Sequence, residues 1–130
     1  MSKVISISNH KGGVGKTTSV INIGAGLNKL GKKVLLIDLD PQANLSQSLG
    51  LIDQERNIYG AIRGEYKLQP TEILKGLDVV SSTLDLSGAE VELSSEAGRE
   101  YILRELIDPI KGSYDYILID SPPSLGLLTI

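Results

Sequence analysis

The sequence lacks several residue types that often define a protein class. Its 130 residues include no cysteine, no tryptophan and no phenylalanine. Without cysteine a disulfide framework is excluded, and these residues offer no thiolate ligand to zinc or to an iron–sulfur cluster. The absence of cysteine is consistent with a cytosolic protein.

Long apolar runs are also missing. The first residues, MSKVISISNHK, become polar too early for the apolar region of a signal peptide. No run elsewhere approaches the roughly 20 apolar residues that cross a bilayer. We therefore expect a cytoplasmic protein without a membrane partner.

Positive charge is not in excess, because 13 basic and 16 acidic residues give a net charge of -3. Nucleic-acid binding depends on basic residues that neutralise phosphates, so this balance offers no general reason for it. Lys29, Lys32 and Lys33 lie around a predicted helix end. Positive charge is favoured there by the helix dipole, and we prefer that interpretation to a DNA-binding patch.

What remains is an ordinary globular composition with regular apolar patterns, 41% of the residues being hydrophobic. Short runs rich in Val and Ile predict strands buried on both faces, over residues 3–8, 33–38, 77–82 and 114–120. Apolar residues at helical spacing predict a helix that Gly31 ends and another over 98–108 that Pro109 ends. We predict an α/β fold, with residues 41–76 as a loop containing short helical pieces.

The stretch HKGGVGKTTS, residues 10–19, lies between the first strand and the first helix. Its glycines let backbone N–H groups approach an anion, and the helix amino terminus adds positive charge. Lys16 is placed to reach the β- and γ-phosphates of a nucleotide, and the Thr17 hydroxyl to bind Mg²⁺. This context, strand then glycine loop then helix, predicts a phosphate-binding loop. His10 stands where such a loop ordinarily begins with glycine.

Carboxylates follow two of the predicted strands. Asp38 and Asp40 lie two residues apart in IDLDPQAN, and Asp120 ends the apolar run of YILIDSPPS. The carboxyl ends of strands in an open parallel sheet face the ligand crevice. The first pair is equally compatible with a capped turn, and Asp120 alone is a weak indication. Together with the glycine loop, in this order, they predict a nucleotide and magnesium site.

The motifs KGGVGKTT, DLDPQAN and DSPPS resemble those of the deviant Walker ATPases of the ParA and Soj partition type. The resemblance spans residues 3–128. Because members of that family are longer, we expect residues 1–130 to be the N-terminal part of a single P-loop ATPase domain, of the AAA-like type shared by CobQ, CobB, MinD and ParA. The resemblance implies a P-loop NTPase fold with a mostly parallel, truncated sheet flanked by helices.

The resemblance also implies roles for individual residues. Lys11 matches the signature lysine, which reaches the partner's nucleotide in an ATP-bound dimer, while Lys16 acts within its own subunit. Asp40 matches the residue associated with water activation. Asp38 and Asp120 match carboxylates of the magnesium site, which Thr17 completes. The residues expected to contact the nucleotide are Lys11, Gly12, Gly13, Val14, Gly15, Lys16, Thr17 and Thr18.

The function implied by the resemblance is a Mg²⁺-dependent, ATP-hydrolysing dimerisation switch for plasmid or chromosome partition. Its expected partners are a second copy of the protein, a ParB-type centromere-binding protein and nonspecific DNA, bound through a C-terminal half. The ATP-bound form is expected to associate with the nucleoid.

Three alternatives stay open. A MinD-type cell-division ATPase, whose ATP switch governs membrane attachment, would need a C-terminal amphipathic helix, which residues 1–130 as an N-terminal part cannot show. Relatives of the nitrogenase iron protein share the loop and lysine but hold a cluster on cysteines, which are absent here. Residues 1–130 alone are also compatible with a nucleotide-binding fragment that does not hydrolyse ATP.

We expect Lys11→Ala in the complete gene product to retain measurable ATP binding but to lose dimer formation and stimulated hydrolysis. The physical reason is that the transferring phosphate would lose a positive charge supplied in trans. Sedimentation of both proteins with ATP measures the dimer. Unchanged ATP-dependent dimerisation of the variant would count decisively against this role of Lys11.

Overall fold

The computed structural model describes residues 2–7, 13–39, 43–51, 57–82 and 96–120. Its strands are β1 (Lys3–Ile7), β2 (Val34–Asp38), β3 (Thr71–Leu74), β4 (Leu77–Val80) and β5 (Tyr116–Asp120). Its helices are α1 (Gly13–Lys29), α2 (Asn44–Ser48), α3 (Ile58–Ile62) and α4 (Glu96–Ile107), followed by a 3-10 turn at Lys111–Ser113. None of the helices in these ranges is long and apolar enough to cross a membrane.

Five strands in the described residues form one sheet in the order β1-β5-β2-β4-β3. The first four strands of that order run parallel, and β3 pairs antiparallel with β4. The predicted α/β fold with a mostly parallel sheet and flanking helices is confirmed. All four predicted strands are present as β1, β2, β4 and β5. Strands β2, β4 and β5 are one or two residues shorter than expected, and the last predicted residue of β1, residue 8, lies outside the described residues.

The prediction of a loop with short helical pieces over residues 41–76 is wrong at its end, where β3 forms. The helical pieces are α2 and α3, but β3 is a four-residue edge strand in which Glu72 and Leu74 are exposed. Such a short, half-polar run carries little periodicity. Its pairing depends on the hairpin turn through Gly76, whose φ of +85° is accessible mainly to glycine.

Each face of the sheet carries its own hydrophobic core. Since side chains alternate along a strand, odd and even positions of β2 point to opposite faces. One face packs against α1 and α2 through Val20, Val34, Leu36, Leu45, Leu77, Val79 and Leu118. The other packs against α3 and α4 and includes Leu35, Ile37, Ile58, Ala61, Leu103, Ile107, Ile117 and Ile119.

Helix α1 ends as predicted at Gly31. The Gly31 N–H donates to the Asn28 carbonyl at 3.0 Å and the Lys32 N–H to the Leu27 carbonyl at 3.1 Å. Gly31 has φ +84°, so this is a Schellman cap with glycine in the left-handed region. The predicted end of α4 before Pro109 is also confirmed, because that helix stops at Ile107.

Tyr114 joins β5 to β4 near the amino-terminal edge of the sheet. Its hydroxyl donates to Asp78 Oδ2 at 2.6 Å. Burial, together with the hydrogen bond and the negative charge of Asp78, raises the pKa of Tyr114. Because the folded-state pKa is the higher one, this contribution to stability is complete below about pH 10 and is lost at more alkaline pH.

Gly60 in α3 offers a test of how Tyr66 packs against this helix. A Cβ at this position would overlap the ring and hydroxyl of Tyr66, and that hydroxyl accepts a hydrogen bond from the Asn57 N–H at 3.0 Å. We expect Gly60→Ala to lower the free energy of unfolding by about 1–3 kcal/mol. The measurement is urea unfolding followed by circular dichroism.

The matched control is Gly26→Ala in α1, where an added Cβ meets no described atom within 4 Å. Alanine loses less backbone freedom on folding than glycine does, so we expect the free energy of unfolding to rise by about 0.5–1 kcal/mol. Equal unfolding free energies for the two variants would contradict the packing of Tyr66 over α3.

Candidate functional site

Two buried carboxylates lie side by side at the carboxyl edge of the sheet. Asp38 ends β2 and Asp120 ends β5, and the two residues are direct partners in the parallel register. Both are fully buried. Two residues before each acid lies a leucine, Leu36 or Leu118, that packs toward α1. Because side chains alternate along a strand, both carboxylates lie on that same face of the sheet.

Thr17 of α1 contacts the second of these carboxylates, Asp120. Its side chain is buried, and Oγ1 donates to Asp120 Oδ2 at 3.3 Å. The helix reaches this position because it packs closely on the sheet: a Cβ at Gly24 would lie only 2.9 Å from Leu36 Cδ2. Two of the three residues predicted for the magnesium site, far apart in sequence, are therefore in contact.

Asp38 is held by a different residue, Ser46 of α2. Asp38 Oδ2 accepts hydrogen bonds from the Ser46 N–H at 2.9 Å and from the Ser46 hydroxyl at 2.7 Å. Ser46 Oγ in turn accepts from the Ser82 N–H at 2.8 Å, just beyond the end of β4. Charge-assisted bonds of this length are the stronger ones in proteins. The Asp38 carboxylate thus accepts an N–H group from the first turn of α2.

Ser46 was not singled out from the sequence. A serine within a short helix is ordinarily exposed, and nothing in the spacing of NLSQS distinguishes Ser46 from Ser48. In the structure Ser46 is buried together with its neighbour Leu45. Only the tertiary position of α2 against β2 and β4 reveals the contact.

Only some of the other residues predicted for the site lie in the part of the chain that the structure describes. The backbone of Gly13, Val14, Gly15 and Lys16 forms the first turn of α1, so the helix begins inside the glycine motif. Thr18 lies on the exposed side of that helix. Lys11, Gly12 and Asp40 lie outside the described residues. Just after β2, the Leu39 N–H donates to the Asp120 carbonyl at 2.9 Å, so Leu39 still lies beside the end of β5.

The donor set suits a hard cation. A threonine hydroxyl and aspartate carboxylates are oxygen ligands of the kind that Mg²⁺ prefers. Two carboxylates buried next to each other also favour a nearby positive charge. Across the described ranges no group of three or more His, Cys, Asp or Glu side chains is placed to hold a metal alone. A cation at this edge would thus draw further oxygen ligands from water or from a bound phosphate.

Comparison with known sequences identifies relatives along the whole chain. A family model described as an AAA domain matches residues 2–130. The sporulation initiation inhibitor protein Soj of Bacillus subtilis is 45% identical over 135 residues, covering 100% of this chain and 53% of Soj. The chromosome partitioning protein ParA of Myxococcus xanthus is 49% identical over 135 residues, covering 98% of this chain and 47% of ParA. The chain spans about half the length of these curated relatives.

Solved structures show the same fold. A cobyrinic acid a,c-diamide synthase from Mycobacterium smegmatis, with a bound ATP analogue and magnesium, superposes with a TM-score of 0.88 at 38% identity. The match covers 97% of this chain and 53% of the synthase.

Proposed function

Because the chain belongs to the AAA domain family and is of the ParA and Soj type, we propose that it is the nucleotide-binding part of an ATPase that partitions DNA. The observation that carries the proposal is the contact of Thr17 with Asp120 beside Asp38. It brings a residue of the glycine motif against the carboxyl edge of the sheet, the place where ligands bind in open parallel sheets.

The proposed cofactors are ATP and Mg²⁺, which the similar synthase structure holds as an ATP analogue and magnesium. Thr17 and Asp120 would hold the cation. Asp38, with Oδ2 committed to Ser46, is suited to accept from a water beside it. When bound, Mg²⁺ neutralises negative charge on the phosphates. The amino-terminal turn of α1, which begins at Gly13, would offer backbone N–H groups to the phosphates of a bound nucleotide.

In the proposed hydrolysis, three residues have separate roles. Lys16 stabilises the phosphates of its own nucleotide, and Lys11 does so for the nucleotide of a partner copy. Asp40 orients the attacking water. Since phosphoryl transfer depends on positioning and on positive charge near the transferring group, a lysine supplied in trans makes turnover depend on dimerisation.

The proposed partners follow from this switch. The ATP-bound dimer would bind nonspecific DNA on the nucleoid, and a ParB-type centromere-binding protein would stimulate hydrolysis. The similarity to a chromosome partitioning protein supports a role in DNA partition.

A second candidate is ATP-dependent amide synthesis, because the superposed structure is a cobyrinic acid a,c-diamide synthase. Such chemistry also needs ATP to activate a carboxyl group. Identity over nearly the whole chain is higher to Soj and ParA, at 45% and 49%, than to the synthase, at 38%. This difference favours partition.

The proposal is tested with the complete gene product. We expect Mg²⁺-dependent ATP hydrolysis that rises when DNA and the cognate centromere-binding protein are added together. Amidation of cobyrinic acid, or ATP-dependent sedimentation with anionic liposomes in place of a DNA effect, would refute partition.

Asp40→Ala is expected to form the ATP-bound dimer and to hydrolyse ATP slowly. An ATP turnover rate equal to that of the wild type would show that Asp40 does not take part in hydrolysis.

Thr17 tests the cation site. Thr17→Val removes the hydroxyl that contacts Asp120 and keeps the size of the side chain. We expect the gain in ATP affinity that Mg²⁺ confers to fall by about tenfold or more, equivalent to about 1.4 kcal/mol. Calorimetric titration of ATP with Mg²⁺ and with EDTA measures it.

Thr17→Ser is the matched control because it retains the hydroxyl. It should keep the Mg²⁺ effect within about threefold of wild type. A valine variant with an undiminished Mg²⁺ effect would show that Thr17 does not hold the cation.

A further inference from the structure

We infer that Ser46 is a positioning residue of the proposed cation site, because it sets the orientation of the Asp38 carboxylate beside Asp120. The contacts that carry this inference join α2 to the end of β2 and to the end of β4. Their expected consequence for Mg²⁺ rests on the proposed function.

Strand pairing fixes the backbone of Asp38 but not its side-chain torsions. Asp38 is the register partner of Asp120, and the N–H of the next residue, Leu39, donates to the Asp120 carbonyl at 2.9 Å. Neighbouring strands lie about 4.8 Å apart, so two buried acids of like charge stand close together on one face of the sheet. A contact outside the two strands has to set the direction of the Asp38 carboxylate.

Ser46 sets this direction with two donors. Its N–H donates to Asp38 Oδ2 at 2.9 Å, and its hydroxyl donates to the same oxygen at 2.7 Å. Two donors of one residue that converge on one oxygen restrict the angle of the carboxylate as well as its distance. Both residues are fully buried, so water does not compete for these bonds.

The direction of the Ser46 hydroxyl is itself determined. The Ser82 N–H, which can only donate, lies 2.8 Å from Ser46 Oγ, so the hydroxyl accepts there and its single proton goes to Asp38. The carbonyl of the same peptide unit, that of Ser81, accepts from the Ile58 N–H at 2.8 Å at the start of α3. The peptide group that orients Ser46 is therefore held at both of its polar atoms.

Packing of α2 keeps Ser46 in place. Leu45, the preceding residue, is fully buried in the core between α1 and the sheet. Ser46 is the third residue of α2, so its N–H has no partner within the helix, and α2 begins without a side-chain cap. Asp38 and the start of α2 thus stabilise each other. Removing the Ser46 hydroxyl would change the orientation of Asp38 without removing any residue proposed to touch the nucleotide.

The first test is amide hydrogen exchange of the complete gene product without nucleotide, followed by NMR. In Ser46→Ala the Ser82 N–H loses its acceptor, and we expect this amide to exchange about tenfold faster than in wild type. The matched control, Ser48→Ala, removes an exposed hydroxyl from the same helix and should leave the Ser82 amide unchanged. Unchanged exchange in Ser46→Ala, or equal acceleration in Ser48→Ala, would overturn the network.

The second test is calorimetric titration of the complete gene product with ATP, in Mg²⁺ and in EDTA. For Ser46→Ala we expect the gain in ATP affinity that Mg²⁺ confers to fall about fivefold or more, while the Kd in EDTA stays within about twofold of wild type. A general loss of structure would weaken binding under both conditions. Ser48→Ala should change neither value.

An undiminished Mg²⁺ gain in Ser46→Ala, or an equal loss of affinity in Mg²⁺ and in EDTA, would overturn the positioning role. A wild-type protein whose ATP affinity does not depend on Mg²⁺ would instead refute the proposed cation site. The exchange experiment would still decide whether the buried contacts of Ser46 exist.

Discussion

The structure depends on the burial of two neighbouring carboxylates at the end of its central strands. Asp38 and Asp120 face one another in the register of β2 and β5 and are closed off from water. Buried charge is tolerated only where hydrogen bonds or opposite charge compensate it. The elements packed above this edge supply that compensation, α1 through Thr17 and α2 through Ser46. The positions of both helices are thus coupled to the two acids.

The strand order creates this constraint. Because β5 lies between β1 and β2, a strand from the end of the described chain brings its last residue beside the end of β2. Both strands are central and buried, so their sequences are almost continuously apolar before each acid. A carboxylate that ends such a strand is buried by the helices that cover the sheet.

These same features explain how much could be predicted from the sequence. Apolar runs ending in Asp38 and Asp120, with a glycine motif between the first strand and the first helix, predicted the parallel sheet and a nucleotide and magnesium site at its edge. Strand β3 escaped prediction because its pairing depends on a turn at Gly76 rather than on its own composition. Ser46 escaped because a single serine carries no periodic pattern, and its partners, Asp38 and Ser82, are distant in sequence.

The two carboxylates are not equivalent, because their contacts with the helices packed above them differ in length. The Thr17 contact to Asp120 is 3.3 Å long, at the weak end of hydrogen bonding, whereas the bonds from Ser46 to Asp38 are 2.7 and 2.9 Å. Ser46 also accepts from Ser82, so its hydroxyl cannot turn away without breaking a second buried bond. Within the proposed function, the long contact of Thr17 with Asp120 would give way to a cation more readily than the short bonds of Ser46 to Asp38. Asp120 is therefore the adaptable ligand, and Asp38 is the acid whose orientation Ser46 sets.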